Sequence, residues 1–167
     1  MNLISKFSDS ELLIKTKNLA SEEKRIAQEV INHLEEIEYR KLYLSLGYSS
    51  LHDYAVHELH YSGSSAYRRI AAMKVFKVLP EAKEKFSSGT VNLSTLSQLQ
   101  TFINKEEKTK DCSREMKLDL LEKIENKSQD ECEREFVKIS PEFIKFKEKE
   151  RVLTDEHTND VSYSKGA

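Results

Sequence analysis

The chain has 167 residues, a formal net charge of -2, and 34% charged against 38% hydrophobic residues. That length supports one domain with a real core and leaves little room for a second. Four Gly and two Pro are too few for the many tight turns of an all-β fold, and the charge balance argues against a polyanion-coating protein.

Residues 1–10 show no basic stretch followed by an apolar core, so no signal peptide is expected, and no run approaches membrane-spanning length. Cys112 and Cys132 lie far apart, which favours reduced thiols over a disulfide. The expected location is cytoplasmic, with no membrane partner.

In chain order, Ser8-Asp9-Ser10-Glu11 is a capping-box pattern, in which Ser8 and Glu11 satisfy each other's free amides. The apolar residues Leu12, Leu13, Leu19, Ala20, Ile26, Ala27, Val30, Leu34, Ile37 and Leu44 follow. Leu13, Ala20, Ala27 and Leu34 recur every heptad, as do Val30, Ile37 and Leu44. The spacing predicts one long helix, or two with a break near Ser21, with no Gly or Pro before Gly47. Heptad-like spacing of this length invites a partner helix, within the chain or across a dimer.

Ser50 caps a predicted helix through Leu59, His60 to Gly63 makes a turn, and Ser62 caps a second helix to about Leu79. Pro80 opens a short helix that Gly89 ends. Asn92 or Ser94 starts the next, through Ile103, and Lys105 to Cys112 reads as an exposed loop. Ser113 opens a helix carrying Met116, Leu118, Leu120, Leu121 and Ile124. Ser128 and Glu131 form a second capping box before Cys132, Phe136, Val137 and Ile139. Ser140-Pro141 marks a boundary. The expectation is therefore an all-α multi-helix bundle over residues 1–140, with a long N-terminal helix and a possible helix-turn-helix at 50–79. Residues 141–167 form a C-terminal extension that is expected to be partly disordered. In it Phe143-Ile144-Lys145-Phe146 docks weakly and Thr154 to Ala167 frays.

From Ser62 to Leu79 the chain carries Arg68, Arg69, Lys74 and Lys77 and no acid, whereas acids outnumber bases between Asp9 and Glu38. Serine hydroxyls beside the free amides of a helix N-terminus suit a phosphate. The candidate DNA-binding residues are Ser62, Ser64, Ser65, Tyr67, Arg68, Arg69 and Lys74. The helical wheel works against a recognition helix. Ala66, Ile70 and Met73 face one side, Ala71, Val75 and Val78 nearly the opposite side, and Phe76, Ala72 and Leu79 fill much of the rest. A helix apolar nearly all round belongs in the middle of a bundle. From the pattern alone a plain bundle pair is the stronger reading.

His57-Glu58-Leu59-His60 is one residue short of the zinc-protease pattern, and no further ligand is spaced to complete a site. No metal site, catalytic residue or cofactor is expected. The acid pairs Glu22-Glu23, Glu35-Glu36 and Glu106-Glu107 read as solvated faces.

The string Leu42-Tyr43-Leu44-Ser45-Leu46-Gly47-Tyr48-Ser49-Ser50-Leu51, with Tyr54, Glu58-Leu59-His60-Tyr61-Ser62 and Ala66-Tyr67-Arg68-Arg69-Ile70, resembles the N-terminal helical region of bacterial HNH endonuclease family proteins. Leu79-Pro80, Ser88-Gly89, Leu93-Ser94-Thr95-Leu96 and Leu120-Leu121-Glu122-Lys123-Ile124 continue the likeness, which covers most of residues 8–157. The resemblance implies a helical region that binds DNA or organises the protein, joined to a metal-dependent nuclease module. After Glu156-His157-Thr158 the sequence leaves the family pattern, and His157 and Asn159 form no His-Asn-His constellation. The expectation is a non-catalytic helical DNA-binding module. A protein-protein interaction or dimerisation module, with a homo-oligomer or helical partner, is the alternative, and a fragment of a full-length HNH endonuclease is another.

Overall fold

Helix caps set the chain's punctuation. In a computed structural model, which describes residues 3–143, a 3-10 turn (Leu3–Lys6) precedes α1 (Asp9–Arg40), α2 (Leu42–Ser45), α3 (Leu51–His57) and α4 (Gly63–Val78). Then come α5 (Glu81–Ser88), α6 (Leu93–Glu106), α7 (Arg114–Lys123) and α8 (Gln129–Ile139). No strand occurs among the described residues. Ser8, Ser50, Ser62, Asn92, Ser113 and Ser128 each accept a hydrogen bond from a first-turn amide. Gly89 closes α5 at φ +84°, a left-handed geometry that glycine adopts without steric cost. Residues 144–167, including Ile144 to Phe146, the expected frayed tail, His157 and Asn159, lie outside the described residues.

α1 is continuous. At Ser21, where a break was one of two expectations, the hydroxyl donates to the Lys17 carbonyl at 3.0 Å within the helix. It stops at Arg40 because Lys41 turns left-handed, φ 51°, although no glycine is present. That turn starts α2 and brings Tyr43 back against the core.

The centre of the bundle is α4 packed along α6, with α1, α3 and α5 also against α4. Ala66, Ala71, Ala72, Met73, Val75 and Phe76 of α4 are buried, as the wheel requires of a helix apolar nearly all round. Leu96, Leu99, Phe102 and Ile103 supply the facing side of α6. Phe102 stacks on Phe136 of α8, ring centroids 4.6 Å apart, and Phe143 meets both rings edge-on. Phe143 is 1% exposed, so the core reaches past the expected boundary at residue 140, and docking at this position is firm rather than weak.

The expected exposed loop at Lys105 to Cys112 is only partly a loop. α6 runs to Glu106, whose side chain is buried, and Cys112 is buried as well. Burial pushes the Glu106 carboxyl up. Hydrogen bonds from Lys110 and Ser140, with the attraction of Lys110 and Lys105, outweigh this and hold it below the usual value. A depressed folded-state value means the stabilisation is complete above the unfolded-state value and is lost as pH falls through the folded one. Glu106→Gln should therefore cost about 2 kcal/mol at neutral pH in urea denaturation, and the deficit should shrink on acidification. A deficit that grew at low pH would contradict this account.

Candidate functional site

Two helices and a turn do occupy residues 51–78. Ser50 caps α3 by accepting from the Asp53 amide at 3.0 Å. Asp53 accepts in turn from the Ser49 amide and hydroxyl, which hold its carboxyl below the usual range. His60 takes φ 58° in the turn, and the Tyr61 amide donates a hydrogen bond to the Ala55 carbonyl at 3.1 Å. His52 reaches the Gly63 carbonyl at 3.1 Å and ties the start of α3 to the start of α4. The second helix is held by neighbours on several sides, so only its first turn and one edge meet solvent.

The seven expected DNA-binding residues divide between two faces. Ser62 is occupied as the cap, accepting from the Ser65 amide at 3.2 Å, with Ser64 Oγ 3.3 Å from its hydroxyl. Arg69 folds back along the helix to donate to the Ser65 carbonyl and hydroxyl. Its guanidinium lies 4.2 Å from the Tyr61 ring centroid. Its buried Nε has no hydrogen-bond partner among the described residues. Ser65, Arg68 and Arg69 line a groove of about 870 Å³. Tyr67 and Lys74 instead line a smaller hollow of about 260 Å³, with His52 and Asn104. The Tyr67 hydroxyl lies 2.9 Å from the Thr101 hydroxyl. A single flat DNA-facing surface does not include all seven.

The groove lies where α1 leaves the bundle. α1 contributes Glu23, Lys24, Ile26, Ala27 and Val30, and Phe86, Val91 and Leu93 supply further apolar lining. Lys24, Arg68 and Arg69 give it three cations against the carboxylate of Glu23. Lys24 extends over Gly89, filling the space where a β-carbon would stand, and Ser87 donates to Gln28. These contacts root α1 on the end of α5.

Toward the N-terminus, every residue from Asp9 to Ile26 is exposed, the rooted Lys24 included. At about 1.5 Å per residue this is an arm of about 27 Å. Leu13 is 72% exposed, Leu19 70%, Ile26 51% and Leu12 40%, whereas Ile31 and Leu34 on the same helix are each 1% exposed. The heptad spacing marks the stripe but not the point at which the bundle ceases to cover it.

The remaining candidates stay ordinary. His57 lies 3.3 Å from Asp53, and no group of three or more metal-ligating side chains assembles among the described residues. Cys112 and Cys132 are free and buried, and burial raises both thiols. No helix among the described residues is long and apolar enough to cross a membrane.

Ser62→Ala should cost about 1 kcal/mol of stability in urea denaturation, the usual cost of a lost cap. No loss would mean that Ser62 does not cap α4.

Comparison with protein-family models, with curated proteins and with solved structures returned no match.

Proposed function

We propose that this chain is a non-catalytic helical interaction module whose working element is the exposed arm of α1. One observation carries the reading. The apolar stripe of α1 is buried at Ile31 and Leu34, partly buried at Ile37, and bare at Leu12, Leu13, Leu19 and Ile26. Fully burying one such side chain is worth about 1.5–3 kcal/mol, so four along one arm offer a large gain to an apolar partner. An isolated helix as short as the arm is marginal in water, and a covering partner would hold it helical.

A photo-reactive residue at position 13 or 19, expressed in the protein's own cells, should form protein adducts, and one at Glu115 on α7 should not. Leu13→Asp with Leu19→Asp should abolish adducts formed from a probe at position 12. Equal yields at all positions, or none at 13 and 19, would overturn the reading.

DNA binding is the second reading, favoured by the three cations of the groove beside the first turn of α4. The resemblance to HNH endonuclease family proteins points the same way, and it rests on the quoted residues alone. Phosphate contacts release counterions, so such binding would weaken steeply with salt. Replacing Arg68 and Arg69 together by Ala should abolish an electrophoretic shift at low salt while helix content stays unchanged. Undiminished binding by the double variant would remove this edge from consideration.

A further inference from the structure

We infer that the occupant of the arm is a second copy of this chain, paired antiparallel about Leu19, with Leu12 of each copy seated at the other's groove. The inference rests on the interaction reading above and names its partner.

At about 100° per residue, Leu12, Leu19, Ile26, Val30 and Ile37 fall within about 40° of one another on the wheel. Ala27, Ala20 and Leu13 follow about 60–100° round from Leu12, on the flank that farther along the helix carries the buried Ile31 and Leu34. The bare stripe of the arm thus runs straight into Ile26, Ala27 and Val30, which line the groove opposite Phe86 and Val91. An antiparallel mate centred on Leu19 opposes Leu12 to Ile26 and Leu19 to itself. The tip of each arm then reaches the groove of the other copy, where about 870 Å³ is open to receive it.

Charge selects this direction. Glu23 lies within the stripe, lines the groove and forms no ion pair among the described residues. A parallel, in-register pair would set Glu23 against its own copy and Lys15 against its own copy, and like charges at a seam are unfavourable. The antiparallel pair sets Lys15 against Glu23, and also near Glu22, at both ends of the interface. In the free chain the Lys15 ammonium lies 3.7 Å from the Phe7 ring centroid, a contact that leaves it at the surface. The Ser8–Glu11 capping box closes the helix just before Leu12, so the tip is formed in advance of pairing.

Sedimentation of the full chain should show a reversible dimer. A short bismaleimide should link a Leu12→Cys copy to an Ile26→Cys copy in a mixture, and neither variant to itself. Cys112 and Cys132 are buried, so they leave the reagent to the new thiols. Lys15→Glu should raise the dissociation constant by roughly tenfold, and adding Glu23→Lys should restore it. Links of position 12 to 12 or 26 to 26 alone would overturn the antiparallel pairing. A chain that stays monomeric at millimolar concentration would overturn the second copy as occupant. In that case adducts to another protein at positions 13 and 19 would leave the interaction reading standing, and their absence would retire both.

Discussion

Helix α4 is apolar around nearly its whole circumference, so water is excluded only if other helices surround it. α6 covers its longest face, and α1, α3 and α5 take the remaining sides. Each neighbour is thereby positioned by what it must hide. The polar side chains of the first two turns of α4, Ser62, Ser64, Ser65, Arg68 and Arg69, are not fully buried, although Ala66 among them is. The groove and the smaller hollow lie on either side of those turns. This explains why Arg68 and Arg69 face one and Tyr67 and Lys74 the other. The same burial limits the use of α4 as a groove-reading helix, since only its end is available.

α1 obeys the opposite condition. Its C-terminal half is amphipathic in the usual way and buries Ile31 and Leu34 against the bundle. Its N-terminal half repeats the pattern with nothing against it. The helix is long because its sequence has no breaker, and it stays single because Ser21 accommodates itself to the helical backbone. The bundle simply ends before the helix does.

What could be read from the residues was local. Ser8 with Glu11, Ser128 with Glu131, Ser62, Ser113 and Gly89 mark helix ends through bonds that reach only three or four residues, and they fall where expected. The nearly all-round apolar character of α4 likewise announced its central place. The stop at Lys41 was not legible, because a lysine carries no local preference for the left-handed conformation it takes there. Glu106 and Cys112 escaped for a related reason. A charged run looks like loop until Lys110 and Ser140 are seen to satisfy the carboxylate. Neither periodicity nor capping reveals which half of a stripe has a neighbour. The split of the candidate DNA residues is also tertiary, since it depends on where α1 and α6 lie around α4.

The root of the arm has a mechanical consequence. Lys24 over Gly89 and Gln28 bonded to Ser87 clamp α1 to the end of α5 at two points about one helical turn apart. Everything before Lys24 is a cantilever of about 22 Å, stiff along its length and steered from its base. A tilt of about 10° at that clamp moves the tip by about 4 Å, most of the spacing of successive helical turns. Small changes at Gly89 or Ser87 are therefore magnified where Leu12 and Leu13 stand, far from any contact those two residues make themselves.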